Sequence, residues 1–423
     1  MNVLILGSGG REHAFAYKIK QSTLCKNLYV APGNSGTREI ATNLQFQVHQ
    51  FEDVIEAIKK FEIKMVIIGP EVPLVNGLSD YISANDEIKE TIVIGPNKYA
   101  SQLEGSKDFA KEFLNRHNIP TASHKTFTVE NINDAFSYID LMIPPYVLKA
   151  DGLAAGKGVL IIDNPNEAKN ELTEMLLNSK FGDASKSVVV EEFLDGIELS
   201  CFVLTDGKNY KLLPSAKDYK RIGEGDTGLN TGGMGAISPP PFLTKDFMRK
   251  VEKKIIQPTI DGLMKDKIIY KGFIFFGLIK VKEEPYVIEY NVRMGDPESE
   301  AVLPRIKSDL LELLLSVSKD QLNNQQVIID NKESATVFLV SGGYPEQYEK
   351  NKEIFGLDKV SDSIVFHAGA KYEEGKVKTN GGRVIAITSM GATVKEALDK
   401  SYNSIKNISF EKMNYRGDIG FDL

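Results

Sequence analysis

Lysines and glycines crowd together in Lys149–Val159, which reads KADGLAAGKGV. Gly and Ala let backbone N–H groups approach phosphate oxygens, and Lys149 and Lys157 add positive charge. Tyr146–Leu148 before the run and Val159–Ile162 after it have strand composition. The loop is therefore expected at the tip of a hairpin, pliable enough to act as a lid. It is not a P-loop. Three residues separate Gly152 from Gly156 where that motif has four, and Gly158 replaces the Ser or Thr. An ordinary flexible hairpin is the alternative.

The run Tyr286–Met294 (YVIEYNVRM) reads as a strand. Alternation puts Glu289, Asn291 and Arg293 on one face, with Tyr290, Val292 and Met294 on the other. Glu and Asn supply hard oxygen ligands, which suit Mg²⁺ or Mn²⁺ carrying ATP phosphates. Arg293 would hold charge as phosphate transfers. Asp296 and Glu298 follow, either supporting that site or capping a helix from about Ser299. Upstream, Glu191–Leu194 leaves a buried strand at Val188–Val190 as an extended segment able to offer C=O and N–H to an adenine edge. Glu198, past the Asp195-Gly196 turn, could hold ribose hydroxyls; exposed strand-end charge is the alternative.

Three further clusters invite an anion. Gly9 and Gly10 open a helix with Arg11 beside them, suiting a phosphate; a tight turn with a solvated arginine is the alternative. A dinucleotide site is disfavoured, because Glu12 takes the third glycine position and the second strand ends at Ala31-Pro32 without an acidic residue. Ala216–Arg221 (AKDYKR) is expected as a charged loop and Asn230–Gly235 (NTGGMG) as a glycine turn with exposed backbone donors; an anionic substrate could sit between them. Gly381, Gly382 and Arg383 form another candidate phosphate contact or a plain turn. His13 and His367 read as structural.

Apolar runs at Val3–Leu6, Leu28–Ala31, Met65–Ile68 and Thr91–Ile94 alternate with helical stretches such as Glu12–Gln21 and Phe51–Phe61. That pattern gives a parallel sheet whose carboxyl-end loops form the ligand crevice. A helix is expected over Leu103–Asn115, with Lys107 early in it, and another over Asn164–Asn178. Toward the end come strands at Glu333–Ser341, Ser363–Ala368 and Arg383–Thr388 and a helix at Thr393–Ile405.

At 423 residues the length suits roughly three domains. The net charge of −7 argues against a general nucleic-acid or anionic-membrane binder, so an anionic substrate must be held by local positive clusters. Cys25 and Cys201 form no disulfide framework or metal spacing. MNVLILG starts a strand at once, so a cytoplasmic enzyme is expected.

Together these pieces resemble the phosphoribosylamine–glycine ligase family of the ATP-grasp superfamily. The residues carrying the likeness are GSGGREHA at 7–14, APGN at 31–34, GPEVPL at 69–74, LEGSK at 103–107, KADGLAAGKGV at 149–159, EEFLDG at 191–196, NTGGMGA at 230–236, GDPE at 295–298, TNGGRV at 379–384 and YRGDIG at 415–420. The resemblance implies an α/β chain in three parts. These are a Rossmann-like domain over 1–102, an ATP-grasp domain over 103–327 with a mobile lid at about 121–190, and a small α+β domain over 328–423. It implies an ATP-dependent ligase of de novo purine biosynthesis that joins glycine to 5-phosphoribosylamine through glycyl phosphate.

On that resemblance Lys107, Lys149, Gly156, Lys157, Gly158, Val159, Glu191, Glu192, Phe193, Leu194 and Glu198 would hold ATP, and Glu289 and Asn291 the metal. Arg293, Lys149 and Lys157 would neutralise charge. Gly9, Gly10, Arg11, Glu12 and Asn34 would meet the sugar phosphate. Asp218, Lys220, Gly232, Gly233, Met234 and Asp296, again with Arg293, would line the substrate side, with Asp218 on the glycine ammonium. The family pattern QDHKR reads KDYKR here, so Lys217 and Tyr219 are unexpected. The strand GFIFFGLIKV before the metal strand brings no second carboxylate.

Overall fold

The computed structural model describes residues 1–154 and 158–423. Strands are numbered along the chain. A parallel sheet, ordered β3-β2-β1-β4-β5, comprises β1 Asn2–Gly7, β2 Asn27–Pro32, β3 Thr42–Asn43, β4 Ile63–Ile68 and β5 Ile92–Ile94. β3 was not expected; at two residues it is too short to leave a hydrophobic pattern. Val3–Leu6 and Met65–Ile67 are buried, as a sheet covered on both faces requires. Strand order reverses about β1, so the carboxyl ends of β1 and β4 open the crevice.

Glu12 fills the bottom of that crevice, and its packing explains two glycines. A Cβ on Gly7, whose φ is 129°, would lie 2.5 Å from Glu12 Cδ, and one on Gly69 would lie 2.0 Å from Glu12 Oε1. Glu12 Oε2 accepts from the Gly9 N–H at 2.6 Å. The first helix thus begins at Gly10, tied to β1 and β4 through a single carboxylate.

The second sheet is antiparallel and ordered β6-β9-β7-β8, with β6 His124–Thr128, β7 Tyr146–Ala150, β8 Val159–Ile162 and β9 Ser187–Glu192. Helices Ile132–Leu141 and Pro165–Asn178 pack with it; Asn164 caps the latter by accepting from the N–H groups of Asn166 and Glu167. Ile139, Leu172, Met175, Val188 and Val190 belong to a hydrophobic cluster drawn only from this lobe. β7 and β8 pair Lys149 with Val159, so the glycine loop sits at a hairpin tip.

The third sheet, β11-β10-β14-β15, contains β10 Ile197–Thr205, β11 Tyr210–Leu212, β14 Gly272–Val281 and β15 Glu284–Asn291. Gly277 faces Glu289 while Leu278 faces Val287, so Ile288 is an extra, bulged residue. The fourth sheet, β12-β13-β16-β20-β17, joins β12 Lys217–Gly223 and β13 Thr227–Ser238 to β16 Glu333–Val340, β17 Ile364–His367 and β20 Arg383–Gly391. β18 Ala370–Glu373 and β19 Lys376–Thr379 pair as a separate hairpin. Helix Val394–Ile405 packs on the fourth sheet.

Three local expectations are corrected. AKDYKR and NTGGMG lie in strands β12 and β13, because β16 pins β13 from Gly235 to Ser238 and carries the glycines into the sheet. The helix expected over Leu103–Asn115 is two, Gln102–Gly105 and Lys107–Arg116. Ser106 between them is extended, and its Oγ accepts from the Phe109 N–H at 3.1 Å while donating to Asp151. Asp296 and Glu298 cap no helix; Pro297 holds the cap position of Glu298–Val302.

His13 and His367 join the first helix to β17. The His367 N–H donates to His13 Nδ1 at 2.8 Å, and Ser35 Oγ lies 2.7 Å from His367 Nδ1. Burial pushes His367 down to about 4, and burial with His367 alongside pushes His13 down to about 3. Among the described residues no helix is long and apolar enough to cross a membrane.

The enclosure of Glu12 gives a direct test. Gly69→Ala should cost about 2–4 kcal/mol in urea unfolding, since its Cβ takes the place of the Glu12 carboxylate in a packed interior. A change under about 0.5 kcal/mol would mean that Glu12 is free to move aside.

Candidate active site

Lys149 is already paired. Its Nζ lies 2.8 Å from Glu191 Oε2, and Lys111 Nζ lies 3.2 Å from Glu191 Oε1. All three side chains are buried. Burial alone would raise the Glu191 carboxyl, but Lys149 and Lys111 hold it below the usual range. Burial brings Lys111 down to about 8 against the pull of Glu191. Lys107 Nζ donates to Gly152 O at 3.4 Å; burial lowers its pKa, with Glu289 opposing.

β9 runs through Glu192 because it pairs with both β6 and β7. The Glu191 side chain and backbone are thus committed to protein contacts, which corrects the expected start of the extended segment. Glu192 donates through its N–H to Ser123 O and accepts from the Ser123 N–H. Phe193 and Leu194 keep backbone groups with no hydrogen-bond partner among the described residues. Gly158 O accepts from the Ala150 N–H at the foot of the hairpin, and Val159 begins β8. Gly156 and Lys157, also expected at the phosphates, lie outside the described residues.

At the end of β15, Tyr290 and Val292 enter the core, and Glu289 and Asn291 alternate with them. Asn291 Nδ2 donates to Tyr290 O at 2.7 Å, leaving its amide oxygen without a protein partner among the described residues. Strand β14 opposite carries no carboxylate, and no group of three His, Cys, Asp or Glu that could hold a metal occurs among the described residues. Two side-chain oxygens suit a hard cation that takes its other ligands from water and phosphate. Arg293 follows: Nη2 lies 2.8 Å from Glu104 Oε1, Nε 3.3 Å from Glu71 Oε2, and Nη1 donates to Met294 O. Burial pushes Glu104 up, with Arg293 opposing.

Beside the break in the β12–β13 ladder lies a charged cluster. Tyr219 faces Gly235 but Arg221 faces Asn230, so Lys220 alone stands opposite Thr231–Met234. Lys220 Nζ lies 2.7 Å from Glu198 Oε2 and 3.9 Å from Asp218 Oδ2. Lys220 holds the Glu198 carboxyl below its usual range. Glu298, buried, accepts from Ser200 Oγ at 3.0 Å; burial first, then the nearby Asp218, pushes it up to about 7. Burial likewise raises Asp218. Gly232 and Gly233 do not offer free donors: their N–H groups donate to Tyr344 OH and Thr231 Oγ1. Met234 is fully buried, so its side chain belongs to the core.

A cavity of about 950 Å³ opens between the loops after β1 and β2 and the segments around β18 and β20. Gly9, Asn34, Arg38, Asp296, Lys371 and Arg383 help line it. Arg383 Nη2 lies 2.8 Å from Asp296 Oδ1, and Asn34 Nδ2 donates to Ser8 O and His367 O. Arg11 is turned away: Nε lies 2.6 Å from Glu12 Oε1 and Nη1 donates to Met294 O. The guanidinium expected for the sugar phosphate is instead the counter-charge of a buried glutamate. Gly10 is also inside, where a Cβ would lie 2.1 Å from Glu300 Oε1.

Comparison with known proteins places this geometry. Models of the phosphoribosylglycinamide synthetase N domain, ATP-grasp (A) domain and C domain match residues 1–104, 105–299 and 334–422. The chain belongs to the phosphoribosylamine–glycine ligase family. It is 43% identical over 427 residues to phosphoribosylamine–glycine ligase of Yersinia pestis, covering 100% of this chain and 98% of that one. It is 44% identical over 427 residues to a bifunctional purine biosynthetic protein of Pichia angusta, covering 99% of this chain and 53% of that protein, so it spans about half of it. The crystal structure of phosphoribosylamine–glycine ligase from Thermotoga maritima superposes with a TM-score of 0.86 at 34% identity, over 99% of this chain and 100% of that one. Phosphoribosylamine–glycine ligases are carbon–nitrogen ligases of purine biosynthesis, and the ATP-grasp domain binds ATP with a divalent metal.

Within this family member several site groups escaped the sequence reading. Glu71 and Glu104 stood inside GPEVPL and LEGSK without a role, yet both hold Arg293. Lys111 lies one turn beyond Lys107 on the same helix, a spacing that could have found it. Arg38 and Lys371 are lone basic residues brought to the cavity by tertiary structure, and no local pattern marks them.

Glu298 makes the site's pH response testable. Its proton is held to about 7 in the folded protein but released near 4.5 in the unfolded chain, so stability falls as pH rises through that window. Glu298→Gln should remove that fall and gain roughly 1–3 kcal/mol on the parent between pH 5 and pH 8. Urea melts at both values measure it; a constant difference would mean that Glu298 contributes no pH dependence between them.

Proposed function

We propose that this chain joins glycine to 5-phosphoribosylamine at the expense of ATP, with nucleotide, glycine and sugar phosphate held by three adjoining clusters. The observation that carries the reading is Glu289, which has no hydrogen-bond or ion-pair partner among the described residues and directly follows bulged Ile288, whose carbonyl accepts from Lys149 Nζ at 3.5 Å. That contact sets the metal strand against the lysine of the nucleotide hairpin. The backbone of Phe193 and Leu194 offers the adenine edge its hydrogen bonds, and Glu198 the ribose. Lys107, Lys149 and the loop through Gly158–Val159, with Lys157, take the phosphates. Glu289 and Asn291 would hold Mg²⁺ or Mn²⁺, which when bound shields phosphate charge.

Asp218 takes the glycine ammonium and Lys220 stands ready for the carboxylate. A glycine carboxylate oxygen attacks the γ-phosphorus, the bond to the ADP oxygen breaks, and glycyl phosphate forms. The amine of 5-phosphoribosylamine then attacks the acyl carbon, the bond to phosphate oxygen breaks, and a proton leaves the nitrogen. Arg293, fixed between two carboxylates, presents a guanidinium that need not reorganise. Water must be kept from the acyl phosphate, the work proposed for the glycine loop.

The sugar phosphate fits the cavity lined by Gly9, Asn34, Arg38, Lys371 and Arg383, with Arg11 and Glu12 shaping its floor from within. A cytoplasmic setting belongs to the same proposal. The experiment is ADP release with each substrate varied, with and without 5-phosphoribosylamine. Asp218→Asn should raise the glycine KM roughly tenfold, the loss of one charge-assisted contact. Arg293→Lys keeps a charge near Glu104 but loses the planar fork, and should lower kcat about 10- to 100-fold with little change in ATP KM. ADP release that ignores glycine would end the proposal.

A further inference from the structure

The far side of β12 carries a set of contacts that the proposed chemistry does not use. Lys217 and Tyr219 alternate with Asp218 and Lys220 and face the other way. Lys217 Nζ lies 2.9 Å from Asp422 Oδ2, and Tyr219 OH donates to Asp422 Oδ1 at 2.9 Å. The same Lys217 Nζ sits 3.9 Å from the centre of the Tyr219 ring. Lys217 and Tyr219 are both buried. Burial would raise the Asp422 carboxyl, but Lys217 and Tyr219 together hold it below its usual range. Lys217 and Tyr219 are the two positions at which KDYKR departs from QDHKR, and one carboxylate answers both.

The same segment holds the other end of the strand. Arg416, 1% exposed, donates through Nε and Nη2 to the two Asp418 oxygens at 2.8 Å each and through Nη1 to Arg221 O at 3.3 Å. Asp418 Oδ2 also accepts from the Gly225 N–H at 2.7 Å.

This grip meets a need created by the sheet. β12 is an edge strand, and β13 is its sheet neighbour. The ladder between them breaks at Lys220, where one residue faces four. Across that gap the Thr231 hydroxyl, donating to Lys220 O at 2.8 Å, ties the strands. An edge strand beside a break lacks the regular hydrogen bonds that fix its height and twist. Errors of about 1 Å in a substrate-positioning strand are enough to weaken function.

We propose that Asp422 is a positioning residue for the amino-acid substrate, holding Lys217 and Tyr219 so that Asp218 and Lys220 on the opposite side of β12 stand at the right height. The inference rests on the assignment of glycine to Asp218 and Lys220. It makes Lys217 and Tyr219 partners of Asp422, not ligands of glycine.

Steady-state kinetics on the full chain test it. Asp422→Asn should raise the glycine KM about five- to twentyfold, with kcat and the ATP KM within about twofold, because only the strand's position changes. Tyr219→Phe, which removes one hydrogen bond, should raise it in the same direction by less. The double variant should show less than the product of the two effects, since both act through one contact. Asp422→Glu should restore part of the affinity. A purely structural role would lower Tm and the active fraction while leaving the glycine KM where it was, and that result overturns the proposal. Should Asp422→Asn fail to fold, Tyr219→Phe gives the same reading. Asp218→Asn is measured alongside. If it raises the glycine KM and the Asp422 and Tyr219 variants do not, the positioning role alone is wrong; if Asp218→Asn also leaves it unchanged, the glycine assignment falls with it.

Discussion

A run of alternating charges, buried at Glu12, Arg11 and Glu104 and half-buried elsewhere, holds the molecule's parts to one another. Glu104 and Glu71 grip Arg293, Glu12 grips Arg11, and Asp296 grips Arg383. Arg11 and Arg293 meet at the carbonyl of Met294. These residues come from the first helix, the helix Glu71–Val75 after β4, the helix Gln102–Gly105, the segment after β15 and the start of β20. Removing one member of a buried ion pair strands the other, at a cost of about 3–5 kcal/mol. The charges therefore specify how the parallel sheet, the third sheet and the fourth sheet meet, and the crevice is what remains between them.

Around that crevice the strands are regular until they reach it and irregular where they touch it. β15 bulges at Ile288, one residue before Glu289. β13 swells over Thr231–Met234 opposite Lys220. β9 ends at Glu192, just before Phe193 and Leu194, whose backbone groups have no partner among the described residues. Each irregularity frees or re-aims polar groups that a continuous ladder would have absorbed. Gly277 and Gly233 sit at two of these places; at Gly233, φ is 116° and a Cβ would lie 2.4 Å from Pro297 Cδ.

Much of this was legible in the chain. The four main strands of the parallel sheet, the hairpin under the glycine loop and the helix after Asn164 follow from short-range pattern, where period and capping act between near neighbours. The strand holding Glu289 and Asn291 was found because alternation alone sorts its faces. What escaped was long-range. Nothing near Glu191 says that two lysines, one from a helix and one from another strand, converge on it. Nothing near Arg11 says that it faces inward. NTGGMG read as a turn because glycine weakens a strand locally, whereas pairing with β16, a hundred residues on, decides the matter. Ser106 was the reverse case, a local cap hidden inside an apolar period that ran through it.

The lobe that bears the glycine loop keeps its own oily interior, drawn from residues between 127 and 190. Tilting such a body relative to its neighbours would wet no hydrophobic surface within it. The resistance to tilting would come mainly from polar links, among them the lysine–glutamate contacts at its base and the bond from Thr121 to Val287. Because those ions are buried, dissolved salt screens them little, so such a tilt would stay nearly insensitive to ionic strength until water enters the joint.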